Sequence, residues 1–126
     1  MTTKGSCVCG QWTYEYEGEP VAVTAGSNGS FNLLIPNDKF HKLSGEDFKF
    51  ERTGDSGNAV KYRNCGNCAT VMTANTDSTA GLTILKGGTV DDFEADKKHQ
   101  PVMEIYTRNR PEWCHPFASA QQKEAS

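Results

Sequence analysis

Between Gln11 and Glu17 apolar and polar side chains alternate, with Trp12, Tyr14 and Tyr16 set against Thr13, Glu15 and Glu17. Period two is the signature of a strand with one buried face. Runs of similar character at Phe31–Ile35, Asp47–Arg52, Ala59–Asn64, Thr70–Thr73, Leu82–Leu85 and Val102–Tyr106 predict further strands. Between them stand EGEP, AGSNGS, IPND, LSGED, TGDSGN and KGG, clusters of the residues that favour turns. TGDSGN, with Asp55 and Asn58, reads most simply as a hairpin turn. Short strands at this spacing predict an all-β fold, a two-sheet sandwich or open barrel of antiparallel strands. Helix is scarce: a short turn is expected around Val90–Glu94 and a frayed terminal helix over Phe117–Lys123, with the final QQKEAS disordered. No internal repeat is present.

The 126 residues suit a single domain with its own core, spanning about residues 5–118 before a flexible tail. A formal charge of −3 supplies no basic face, so nucleic acid is not an expected partner. No apolar run approaches the roughly 20 residues of a membrane span, and the opening MTTKGS has no apolar leader. The expected setting is cytoplasmic. No long exposed apolar strand for a protein partner is evident.

Five cysteines in such a chain are poorly explained as a disulfide framework, because the cytosol keeps thiols reduced. Metal binding by four of them explains the spacing better. Cys65 and Cys68 form a C-x-x-C knuckle whose backbone N–H groups can turn toward the sulfurs, and Cys7 and Cys9 form a second pair. Four thiolates would complete a tetrahedral, closed Zn²⁺ site that ties strands together and leaves no position for substrate. A redox C-x-x-C and unrelated buried cysteines are the alternatives. Cys114 reads as a free thiol. His115 beside it would point to the opposite face of an extended chain, a poor geometry for a nucleophile and its base.

GSCVCG with its following strand and GEP, LLIPNDKF, SGEDFKFERTGDSGN, RNCGNC, LKGGTVDD and EIYTRNRPEW occur in this order from Gly5 to Trp113. Together they resemble the glutathione-dependent formaldehyde-activating enzyme and centromere protein V family. The resemblance implies a compact all-β fold whose two sheets are pinned by a four-cysteine zinc. It also implies a second cluster, C-H-C-x-x-C, between the GEP turn and the I-P-x-D-x-F strand, holding a second zinc used in glutathione-adduct chemistry. Here that interval reads VAVTAGSNGSFNLLIP, without cysteine or histidine. The expectation is therefore one structural zinc on Cys7, Cys9, Cys65 and Cys68, with the second, catalytic zinc absent.

A pocket vacated by that zinc could accept another small organic molecule, with Ser27, Asn28 and Ser30 lining it and Tyr106 and Trp113 contributing to binding. The plainer alternative is that AGSNGS is only a tight connection. His41, His115, Arg108 and Arg110 are the candidate catalytic groups. The two arginines, two apart on a strand-like run, would share a face and could clamp a carboxylate, although a solvated edge with salt bridges explains them better. Trp113 and Phe117 are expected to pack the core or close the pocket's mouth. Three functions follow: a repurposed lyase, isomerase or cyclisation enzyme working without catalytic zinc; a non-catalytic zinc-binding scaffold or ligand-binding pseudoenzyme; or a retained carbon–sulfur lyase.

Overall fold

The alternation at the N-terminus becomes β2 (Thr13–Glu17), which buries Tyr14 and Tyr16 while Glu17 stays exposed. It is the middle strand of a three-stranded antiparallel sheet, between β1 (Thr2–Ser6) and β5 (Phe40–Ser44). The remaining strands are β3 (Ala22–Gly26), β4 (Ser30–Pro36), β6 (Asp47–Thr53), β7 (Ala59–Cys65), β8 (Val71–Thr76), β9 (Leu82–Lys86), β10 (Met103–Ile105) and β11 (Gln121–Gln122). They form an eight-stranded sheet in the order β11-β10-β3-β4-β9-β8-β7-β6. Its pairings are antiparallel except that β10 lies parallel to both β3 and β11. The computed structural model describes residues 1–26, 29–92 and 99–125.

The two sheets meet through their apolar faces. Trp12, Tyr14 and Tyr16 from one side pack with Val23, Leu33, Ile35, Met72 and Leu85 from the other, and Cys7 and Cys65 belong to the same cluster. Tyr14 stacks on Phe40 with ring centroids 5.4 Å apart, and its hydroxyl hydrogen-bonds the Thr89 hydroxyl at 2.8 Å. This is the expected all-β architecture.

Several local expectations change. β1, β3 and β5 are additional strands, built from segments (TTKGS, AVTAG, FHKLS) too polar or too small to announce themselves by alternation. Among the described residues helix is confined to single 3-10 turns. The helix expected over Phe117–Lys123 is replaced by a turn, in which the Ala120 N–H donates to the Phe117 carbonyl, and then by β11. Gln121 and Lys123 donate their amides to the carbonyls of Val102 and Glu104, so the sheet edge satisfies backbone groups that a lone helical turn would leave unpaired. The turn expected at Val90–Glu94 lies partly outside the described residues; its first residue, Val90, bridges to Gly5. Trp113 and Phe117 are not core residues, being 74% and 50% exposed. No helix among the described residues is long and apolar enough to cross a membrane.

Candidate functional site

Two turns bring four thiols together. The first connects β1 to β2, where Gly10 donates to the Cys7 carbonyl and Cys7 to the Trp12 carbonyl. The second follows β7, where Ala69 donates to the Cys65 carbonyl and adopts a left-handed conformation (φ 64°) to close the knuckle. The sulfurs of Cys7, Cys9, Cys65 and Cys68 lie within 4.8 Å of one another. Cys7 to Cys9 is 3.5 Å and Cys9 to Cys65 is 3.8 Å, close to the ~3.8 Å edge of a tetrahedron with zinc–sulfur bonds of about 2.3 Å.

Backbone amides converge on these sulfurs: Trp12 N–H on Cys7 at 3.3 Å, and Asn67 and Cys68 N–H on Cys65 at 3.4 and 3.5 Å. The Thr70 hydroxyl lies 3.0 Å from the Cys68 sulfur and also accepts the Val8 amide, joining the two turns. Burial works against the Cys7 thiolate, but the Trp12 amide and neighbouring thiols outweigh it and lower its pKa. The Thr70 hydroxyl and backbone bring Cys68 down to about 5. At Cys65 the Cys68 and Asn67 amides favour the thiolate, but burial and the neighbouring Cys7 and Cys68 thiols outweigh them and raise its pKa. Two of the thiols are thus shifted toward the metal-binding thiolate and one away from it, while the donor set and its spacing fit a metal ion. Thr70 was not evident as a participant in the sequence, since a threonine after a knuckle has no spacing signature of its own.

A second cross-link stands beside the thiols. The Asp47 carboxylate accepts the Trp12 indole N–H at 2.6 Å, Lys42 Nζ at 2.9 Å and Arg63 Nε at 3.0 Å. Lys42 and Arg63 also lie 5.4 and 5.3 Å from the centre of the Trp12 ring. Burial would raise the Asp47 pKa, but these donors overcome it and hold the carboxyl at about 2.

The interval without thiols is a hairpin. β3 and β4 pair in register as far as Gly26 opposite Ser30, which leaves three residues for the connection. Ser27 and Asn28 lie outside the described residues. Ser30 opens β4 and exchanges hydrogen bonds with Asn32, whose amide also reaches Thr24 at 3.4 Å. Lys86, opposite Asn32 on β9, donates to its side-chain oxygen at 3.0 Å. Asn32 is only 5% exposed, and burial pushes the Lys86 ammonium below the usual lysine pKa. No carboxylate among the described residues pairs with Lys86. A polar cluster of Thr24, Ser30, Asn32 and Lys86 thus occupies the base of the hairpin. Its signal in the sequence is positional: Asn32 interrupts the apolar run FNLLI.

The other candidate residues do not converge. His41, on β5, faces Glu17 at 3.5 Å and is 44% exposed. His115 is exposed, in the irregular segment after β10. Arg108 lies within a 3-10 turn (Thr107–Asn109) and Arg110 is its C-cap, so the two do not share a strand face. Arg108 pairs with Asp55 at 3.3 Å, whereas Arg110 binds Glu104 at 3.1 Å and Gln122 at 2.7 Å. Tyr106, left-handed at φ 56°, lies against the Arg108 guanidinium. An open cleft of about 440 Å³, lined by Gln11, Gly45, Glu46, Gly66 and Asn67, borders the cysteine turns and not the hairpin.

None of the curated proteins matches this chain. A family match, described as "Glutathione-dependent formaldehyde-activating enzyme", runs over residues 2–109 and so takes in both cysteine pairs, the hairpin and the 3-10 turn after β10. The chain belongs to the glutathione-dependent formaldehyde-activating enzyme family.

Proposed function

We propose that this chain is a one-zinc member of its family that has lost the metal-dependent glutathione-adduct reaction. In its place it performs proton-transfer chemistry, of lyase, isomerase or cyclisation type, on a small organic molecule. The zinc on Cys7, Cys9, Cys65 and Cys68 is structural: four thiolates complete its coordination and hold the two cysteine turns together. The residues of the β3–β4 interval do not fit a second zinc, because Pro20 to Pro36 offers no thiol or imidazole.

The observation that carries this reading is the Lys86 amine at the base of that hairpin, half-buried, held by Asn32 and without a carboxylate partner among the described residues. Burial lowers the pKa of this amine, which brings its neutral, proton-accepting form within easier reach than that of a solvated lysine. Asn32 fixes its position, and Ser30 would contribute to binding the ligand. Tyr106 follows Ile105, which pairs with Gly26, and so stands close to the same end of the hairpin. Trp113 would fold over the ligand from the exposed segment.

Deuterium exchange into a panel of small carbonyl compounds, followed by proton NMR, tests this. The protein should accelerate exchange of at least one compound, and Lys86→Met should lower that rate by about 100-fold, the size of a general-base contribution. Equal rates with and without protein would instead favour the non-catalytic scaffold. That second reading has its own support, since His41, Arg108 and Arg110 are all engaged with carboxylates of their own chain. Mixing formaldehyde with glutathione should show no acceleration of adduct formation; acceleration would restore the carbon–sulfur lyase.

A further inference from the structure

The eight-stranded sheet ends on β6, a seven-residue strand paired with β7 on one side only. From Phe48 to Thr53 every residue is exposed, with Phe48 at 55% and Phe50 at 52%. The strand expected over Asp47–Arg52 is thus an exposed sheet edge carrying two large aromatic side chains, where no long exposed apolar strand was evident in the sequence. It contains no proline and its pairing with β7 has no bulge, so two common means of blocking edge association are missing.

Its open edge has a definite hydrogen-bond parity. Gly66 donates to the Glu46 carbonyl and Gly54 to the Asn58 carbonyl, which fixes the even-numbered positions as those bonded to β7. The amides and carbonyls of Asp47, Lys49, Glu51 and Thr53 therefore point outward. Lys49 stands opposite Arg63 on β7, a like-charge pair, and neither Lys49 nor Glu51 has an ion-pair partner among the described residues.

We propose that β6 pairs with β6 of a second copy of this chain, antiparallel about a two-fold axis at Phe50, joining two sheets into one. This register brings outward-pointing residues face to face, Lys49 to Glu51 and Asp47 to Thr53, each twice by symmetry. It is also the register that overlaps all seven residues. Lys49 gains the carboxylate it lacks, and both ion pairs lie on one face of the joined sheet. On the other face Phe50 meets its own copy, extending the Phe50–Tyr62 stack on each side, and Phe48 meets Arg52. The neighbouring hydrogen-bonded registers, shifted by two residues, place Lys49 against Lys49 or Glu51 against Glu51. Charge and backbone parity select the same arrangement independently. A single strand per copy is a small interface, so association should be concentration-dependent, in the range of roughly 10 μM to 1 mM.

Sedimentation equilibrium of the zinc-loaded protein over that range tests the pairing. The wild-type weight-average mass should rise from the 13.8 kDa of one chain toward twice that value. Lys49→Glu and Glu51→Lys each place like charges across both symmetric pairs and should weaken association about tenfold or more. The double variant Lys49→Glu/Glu51→Lys recreates the pairs in reverse and should return to within about threefold of wild type. Both substituted positions, Lys49 and Glu51, are solvent-exposed, and circular dichroism with zinc content confirms that each variant stays folded. A wild type that remains monomeric throughout, a dimer indifferent to the single changes, or a double variant that fails to recover would each overturn the proposal.

Discussion

Gly5, in the opening of the GSCVCG turn, is a position where the packing leaves no room for a side chain. It sits opposite Tyr14 in the β1–β2 register and bridges to Val90. A Cβ added there would run into the hydroxyl and ring of Tyr14 and come within 2.5 Å of the Thr89 carbonyl. None of these can step aside cheaply: Tyr14 is fully buried with its hydroxyl tied to Thr89, and the other obstacle is backbone. Overpacking by one methyl typically costs about 1–3 kcal/mol, and an obstacle with no slack belongs at the upper end. Restricting the unfolded chain returns about 0.5–1 kcal/mol, so Gly5→Ala should destabilise by about 2 kcal/mol net. Because Cys7 is two residues further on, displacement of β1 should also loosen the thiol cluster. Urea unfolding at fixed zinc, read by tryptophan fluorescence, measures the first effect, and competition with a chromogenic chelator measures the second. Gly10→Ala is the control: its Cβ would meet nothing within 4 Å, and only its left-handed backbone (φ 81°) is strained, at roughly 1–2 kcal/mol. If Gly5→Ala lies within about 0.5 kcal/mol of wild type and retains zinc equally, the close approach of Tyr14 does not govern this strand.

Elemental analysis should return about one zinc per chain, and Cys65→Ser should lose the metal and the fold together, because a structural site contributes its binding energy to folding; two zincs per chain, or a folded and fully metallated variant, contradicts the four-thiolate site. Asp47→Asn should cost about 2 kcal/mol at neutral pH, the worth of moving a carboxyl from 3.8 to about 2. Since the folded pKa is the lower one, this stabilisation is complete above about pH 4 and disappears as pH falls through about 2. The gap between wild type and variant in chemical unfolding should thus stay flat from pH 7 to pH 5 and shrink only below; a gap that is already gone at pH 5 refutes the assigned partners.

Signals confined to one stretch of chain were legible in the sequence. The period-two run before Glu17, the hairpin turn TGDSGN and the two cysteine pairs each depend on neighbours a few residues apart, and each has the form expected. What depended on register was not legible. The Lys86–Asn32 contact joins residues 54 positions apart, and the Asp47 cluster draws on three other segments of chain. Arg108 and Arg110 misled for a related reason. Side chains two apart share a face only if the backbone is extended, and the 3-10 turn sends them to different carboxylates. Trp113 and Phe117 illustrate the one-way nature of burial: a core is apolar, but large apolar residues need not lie in it.

The thiol cluster and the Asp47 cluster are parts of one fastening. Asp47 stands directly opposite Cys65 in the β6–β7 register, and the carbonyl of its neighbour Glu46 accepts the Gly66 amide from within the knuckle. On the other side, Trp12 gives its indole N–H to Asp47 and its backbone N–H to the Cys7 sulfur. Each cluster therefore spans the same gap, from the start of β2 to the end of β7, and the ordering of either positions the other. Two small sheets facing each other through a handful of aromatics have little else to set their relative placement at this end. The β3–β4 hairpin meets this fastening through the shared core, where Val23, Leu33 and Ile35 belong to one cluster with Trp12, Cys7 and Cys65, while Thr24, Ser30 and Asn32 hydrogen-bond among themselves and to Lys86. Changes in that polar set break none of the hydrogen bonds that tie Trp12 to Asp47 and to the Cys7 sulfur, so the frame does not depend on which polar residues line the hairpin.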